Sequence, residues 1–312
     1  MQVHSLSEKQ IARLASGAGL AIRCGPMITR LKTIIPELLH DVAAIYGQYE
    51  VADLAVDGAN ICVDMRYTSF LRRYVRRQIT GASDRPGPFA PLPPDISFVG
   101  FEMAQNWHIA NTYNHCLLFH AASVASPDGQ AIIMPGMSGS GKSTLGIAMG
   151  YRGWRFLGDE FALYDPREAV FQALARPASL KNQSIEALNG WAPEAAFSRP
   201  FEKTPKGRMA YLNPPRDALA PGHPPARFAM AVFPRFVADE EPRIGRMREA
   251  EALMEFTNAC INFERLSDTA FETVARWAAT IPAYRMTYPS LEKACEIIQA
   301  LEKDQREVKN AD

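Results

Sequence analysis

The stretch QAIIMPGMSGSGKSTLGIAMGY, residues 130–151, decides the fold. Residues 130–135 form a short apolar run read as a strand, and residues 142–151 are read as an amphipathic helix. Between them, Gly136-Met137-Ser138-Gly139-Ser140-Gly141-Lys142-Ser143 satisfies G-x-x-x-x-G-K-[ST] in full, in the strand–loop–helix setting that gives the pattern its meaning. Glycine at 136, 139 and 141 lets backbone N–H groups converge on a phosphate where a Cβ would obstruct them. The start of the helix adds partial positive charge. Lys142 supplies a compact cation for the β- and γ-phosphates and Ser143 a hydroxyl for Mg²⁺, with Ser138, Ser140 and Thr144 completing the nucleotide loop. A glycine-rich turn without a ligand is the competing reading.

Such a loop implies a nucleoside triphosphate and Mg²⁺, but phosphoryl transfer also needs an acidic metal partner and a base for the acceptor's proton. Residues 154–164, WRFLGDEFALY, read as one strand with Asp159 and Glu160 near its middle. One carboxylate can face the metal and the other the acceptor; capping of the next element is the alternative. Residues 117–124, LLFHAASV, read as a strand that His120 interrupts, either as a hydrogen-bonded core residue or as part of the site.

Further out, the chain has 312 residues, 47% hydrophobic and 22% charged, which excludes disordered, collagen-like and coiled-coil classes. Lys+Arg and Asp+Glu both number 34, so no global positive charge favours nucleic acid or an anionic membrane. Cys24, Cys62, Cys116, Cys260 and Cys295 are scattered without a CxxC, as expected of reduced thiols in a cytoplasmic protein. The N-terminal residues do not read as a signal peptide, and no apolar run approaches the roughly 20 residues of a membrane span. Residues 30–46 carry helical spacing, and residues 51–65 suggest a hairpin around Asp57-Gly58. Arg66, Arg72, Arg73, Arg76 and Arg77 form a basic patch, read as a solvated face in preference to an anionic-partner surface. Residues 81–95 hold five prolines and two glycines, which places a domain boundary there. Residues 1–95 are then a smaller α+β domain and residues 96–312 the catalytic one. Residues 199–208 read as a basic mobile loop, and helices are expected around 250–262 and 290–303.

His120-Ala121, the glycine-rich loop and Gly153-Trp154-Arg155-Phe156-Leu157-Gly158-Asp159-Glu160 resemble, in that order, the His-Gly strand, P-loop and Gly-x-Arg-x-x-x-Asp-Asp segment of bacterial HPr kinase/phosphorylase. The match looks closer still to the HPr kinase-related kinase A group. It includes Asn106-Trp107, His120-Ala121-Ala122, Gly139 to Leu145, Arg152 to Arg155, Arg176-Pro177, Ser179-Leu180-Lys181-Asn182 and Thr204-Pro205-Lys206-Gly207, and it covers most of the chain. The resemblance implies an α/β P-loop kinase domain similar to the nucleotide domain of phosphoenolpyruvate carboxykinase and unlike a Ras-like GTPase. It also implies Lys142 on the phosphates, Ser143 and Asp159 on Mg²⁺, His120 with the acidic pair around the transferred group, and Arg176 and Lys181 as phosphate-reaching cations. Glu160 stands where HPr kinase/phosphorylase has a second aspartate, which leaves open which carboxylate is the base. The Glu-x-Arg-Gly-x-Gly signature of those enzymes is missing, with Ser179 to Glu186 in its region, which argues against HPr as substrate and against the phosphorylase reaction.

The expectation is an ATP- and Mg²⁺-dependent kinase acting on a Ser/Thr-type hydroxyl of a peptide or small protein. Neither nucleic acid nor membrane is an expected partner, and a homo-oligomer stays open, as does ATP against GTP. The alternatives are a regulatory nucleotide-binding module and a small-molecule kinase. The acidic pair favours a kinase, because a pure binder needs only one Mg²⁺ ligand.

Overall fold

In the computed structural model, which describes residues 1–82, 87–137, 139–220 and 222–311, the chain opens with α1 (Glu8–Ser16), capped by a Ser7/Gln10 capping box. β1 (Leu20–Cys24) turns back through Gly25 into antiparallel β2 (Met27–Thr33), with Cys24 facing Met27. α2 (Pro36–Ile45) starts at a proline, whose fixed φ suits the first helical turn. The single helix expected over 30–46 is therefore corrected: Leu31 and Thr33 are buried while Arg30 and Lys32 are half-buried, and that period of two belongs to β2.

β3 (Glu50–Val51), β4 (Ile61–Tyr67) and β5 (Ile79–Ala82) complete a sheet of order β3-β1-β2-β4-β5. β2 and β4 are parallel, because α2 carries the chain back over the sheet between them. The hairpin expected around Asp57-Gly58 does not form, since β3 pairs with β1 and two strands separate it from β4. The basic segment that follows is mostly exposed, with Phe70 and Tyr74 exposed too. Of its arginines, Arg77 pairs with Glu37 at 2.5 Å.

α3 (Ser97–Thr112) lies against this sheet. Its Phe98 and Phe101 join Leu20, Leu31, Leu38, Val63 and the later Phe201 and Tyr211 in one apolar cluster, so the core is filled from both sides of residue 95.

The largest sheet begins with β6 (Leu117–Phe119), β7 (Ala121–Ala125) and β8 (Gln130–Pro135), followed by α4 (Lys142–Gly150), β9 (Arg155–Gly158), β10 (Ala162–Asp165) and β11 (Val170–Gln172). After β12 (Ala178–Lys181), α5 (Gln183–Ala187), β13 (Phe201–Thr204) and β14 (Gly207–Leu212) come β15 (Ala226–Phe236), β16 (Arg243–Arg246), α6 (Glu249–Ala259), α7 (Phe263–Thr280), β17 (Ala283–Tyr288) and α8 (Leu291–Ala311). The sheet runs β6-β10-β11-β15-β8-β7-β9, with β17 parallel to β15 and antiparallel to β16; β12-β14-β13 form a third, smaller sheet.

β8 is apolar from Ala131 onward because both of its faces are covered. Ile132 and Met134 pack with Leu145 of α4 and Ile298 of α8, while Ala131 and Ile133 face Phe256 of α6 and Trp277 of α7.

Two segments read as single strands are each broken in two. β6 and β7 part at His120, β9 and β10 part at Asp159–Phe161, and the halves pair across, β6 with β10 and β7 with β9. The two breaks therefore face each other. Residues 199–208, read as a loop, instead include β13 and the tip of its hairpin with β14, closed by the Thr204 hydroxyl donating to the Gly207 carbonyl at 2.6 Å.

Candidate functional site

The loop between β8 and α4 opens onto a cavity of about 530 Å³. Gly139, Gly141, Lys142, Ser143 and Thr144 line it, with Ser179 and Lys181 of β12 and with Phe236, Tyr288 and Leu291 among the others. Gly139 and Gly141 have φ of +90° and +92°, in the left-handed region that favours glycine. A Cβ on Gly141 would also overlap the Tyr288 hydroxyl. No side chain caps α4, so the first-turn N–H groups that every helix leaves unpaired stay available at the cavity wall. Gly136 leads out of β8, and Ser140 keeps its Oγ buried without a partner. Ser138 lies outside the described residues.

Lys142 is only 6% exposed. Burial pulls its ammonium below the ordinary lysine value, Asp159 and Glu160 oppose that, and Lys181 and Lys206 add to it. Asp159 is equally buried. One of its oxygens accepts the Ser179 N–H at 3.1 Å, and the nearby Ser143 hydroxyl favours the ionised carboxylate. The other oxygen, Oδ1, is buried with no partner among the described residues. Burial first, and the neighbouring Glu160 charge second, push the Asp159 carboxyl up to about 6.

Glu160 behaves oppositely. Burial alone would raise it, but Lys181, His120, Lys142 and Lys206 surround it and hold it below the usual carboxylate range. His120 Nδ1 lies 3.3 Å from the Glu160 carbonyl oxygen and 3.8 Å from its carboxylate Oε2. Burial and Lys142 lower the imidazole below its ordinary value, which favours the neutral ring at pH 7. With Nδ1–H donating to that carbonyl, Nε2 is left as the acceptor nitrogen.

Lys142, Ser143, Thr144 and Lys181 line the cavity, Asp159, Glu160 and His120 act on Lys142 from outside that lining, and Arg176 lies apart from it. Its buried guanidinium lies 3.8 Å from Glu102 of α3 and donates to Asn106 Oδ1, and it is absent from the lining of the larger cavity. With Glu160, Ser179 and Lys206 it borders a second space of about 20 Å³. Sequence reasoning passed over Glu102, Phe236 and Tyr288. Glu102 sits in a helix with apolar residues all round, where a lone acid is a recognisable signal of a buried partner. Phe236 and Tyr288 end strands from distant parts of the chain, and no local pattern joins them.

The residues present suit Mg²⁺. An unpartnered buried carboxylate oxygen beside a serine hydroxyl is a hard-oxygen pair, and the Asp159 charge is costly without a cation. Among the described residues no three His, Cys, Asp or Glu side chains gather into a closed metal cage.

No protein-family model matches the chain, and no curated protein does. Among solved structures it is similar to the HPr(Ser) kinase/phosphatase from Coxiella burnetii, at 13% identity over 62% of this chain and 98% of that one, with a TM-score of 0.30. A likeness of that size carries no argument about chemistry. The fold is mixed α/β with several sheets.

Proposed function

We propose that the protein is an ATP-dependent kinase that transfers the γ-phosphoryl group to a Ser/Thr-type hydroxyl of a peptide or small protein. The observation that carries this reading is the split within one acidic pair. Asp159 is buried beside Ser143 with an oxygen unsatisfied, while Glu160 is kept ionised by Lys181, Lys142 and Lys206. A buried carboxylate with an unsatisfied oxygen suits a metal ligand, and a second one among cations stays ionised and so open to a proton from the acceptor.

In this account Gly136 to Thr144 cradle the phosphates, Lys142 neutralises charge on the β/γ-oxygens, and Lys181 reaches the transferred group. Ser143 and Asp159 would hold Mg²⁺, which when bound offsets phosphate charge and fixes the γ-phosphate orientation. Glu160 accepts the acceptor's proton, and His120 steadies Glu160 from the facing chain break. Residues 1–95 are assigned to acceptor or partner binding and residues 96–312 to catalysis. Arg176 acts from behind Glu160 through Glu102 and Asn106.

The experiment is to incubate wild type and Lys142→Ala with γ-labelled ATP, Mg²⁺ and cell lysate, and to follow the label. Acid-stable label on serine or threonine of a polypeptide, absent with Lys142→Ala, is the expected result. Label appearing only as free phosphate would support a regulatory hydrolase, and label on a small metabolite a small-molecule kinase. Wild-type labelling by Lys142→Ala would remove the loop from the reaction.

A further inference from the structure

The cavity at Gly139–Thr144 falls within the roughly 300–1,000 Å³ of small-molecule sites, and part of its wall is apolar. Phe236, the last residue of β15, is 47% exposed there. Its ring leans on the buried Tyr288, with centroids 5.7 Å apart and planes at 59°. The Phe236 N–H donates to the Ser140 carbonyl at 3.2 Å, so this aromatic is tied to the glycine-rich loop through its backbone while its ring stays free. Leu291 and Ala187 extend the same apolar wall.

Polar groups nearby are mostly committed within the protein. The Ser184 hydroxyl accepts from the Lys181 N–H and donates to the Lys181 carbonyl, both at 2.7 Å, and Asn182 Oδ1 accepts from the Arg208 N–H at 3.2 Å. The described lining residues include no Asp or Glu to accept the paired N1–H and N2–H₂ donors of guanine.

We propose that Phe236, backed by Tyr288, is the platform on which the nucleobase of the bound triphosphate stacks, and that it takes adenine and guanine with little discrimination. The inference rests on the nucleotide reading above and adds to it the residue that holds the base. Stacking uses the π-face common to every base, which is why it grips without choosing. Gln183, the remaining side-chain amide on this wall, offers both a donor and an acceptor and serves either purine.

The test is titration calorimetry of the full chain with Mg-ATP, Mg-GTP and Mg-tripolyphosphate, the last having no base, on wild type, Phe236→Ala, Phe236→Tyr and Lys142→Ala. Wild type is expected to bind ATP and GTP within about tenfold of each other. Phe236→Ala should weaken both roughly 5- to 100-fold and leave tripolyphosphate unchanged, while Phe236→Tyr restores them. Equal ATP affinity in Phe236→Ala, an equal loss for tripolyphosphate, or a wild-type preference above 100-fold for one purine would overturn the platform. Wild type that binds none of the three overturns the nucleotide reading itself. Wild type that binds tripolyphosphate as tightly as ATP overturns only the platform.

Discussion

Asp159 sits uneasily in the free protein. Its folded carboxyl is raised from 3.8 to about 6, so between those values the native state binds a proton that the unfolded chain has released. Stability from this group is present below about pH 4 and is lost as the pH rises through about 6. Asp159→Asn keeps the shape and removes the charge. In the absence of Mg²⁺ it should raise stability at pH 7.5 by on the order of 1–3 kcal/mol and flatten the decline between pH 4 and 6, read by thermal melts across pH. The same variant should lose Mg²⁺-dependent nucleotide binding. A lower melting temperature than wild type at pH 7.5 would mean that Asp159 is a structural residue whose buried oxygens are satisfied. That two carboxylates stand together near the glycine-rich loop was legible in the sequence, since paired acids interrupt an apolar run. Their different surroundings were not, because these come from Ser179 across the fold on one side and from Lys181 and Lys206 on the other.

At the scale of elements, two of the cations on the β13–β14 hairpin have different surroundings. Arg208 lies 2.6 Å from Glu186 and 3.2 Å from Glu202. Lys206, at the tip, adds to the positive field on Glu160. Lys206→Ala should therefore slow phosphoryl transfer by about tenfold while nucleotide affinity stays near wild type. Arg208→Ala should change transfer less than about threefold, since exposed ion pairs contribute little. Steady-state kinetics with acceptor varied separates the two, and equal effects of both variants would make the hairpin a general basic surface. Basic, turn-rich sequence signalled a loop here because Pro205 and Gly207 do form the turn. The flanking strands went unread because they pair with each other and with β12, a contact that residues 178–181 alone do not announce. The helix expected over 30–46 failed for a related reason: its apolar positions fit a helix, but Leu31 belongs to β2, which ends at Thr33, and α2 starts only at Pro36.

At the scale of the molecule, the proline-rich stretch marked a change of composition, and the structure sets apolar contacts across it. Phe98 stacks on Phe201 with ring centroids 5.9 Å apart and meets Tyr211 at 4.9 Å, all in the cluster that holds Leu20, Leu31 and Val63. Arg199 reaches back to Asp41 with two hydrogen bonds of 2.8 Å. A fragment of residues 96–312 leaves this cluster half uncovered and is expected to lose cooperative melting or to aggregate, measured by circular dichroism and gel filtration. A monomeric fragment that melts cooperatively near the full chain's temperature would make residue 95 a folding boundary as well as a functional one. The reaction itself is tested most directly by Glu160→Gln. In a single turnover of γ-labelled ATP with Mg²⁺ and acceptor polypeptide, this variant should bind nucleotide as wild type does and transfer the label about 10²- to 10⁴-fold more slowly. Transfer at the wild-type rate would contradict the assignment of Glu160 as the base, and with it the kinase reading built on the divided acidic pair.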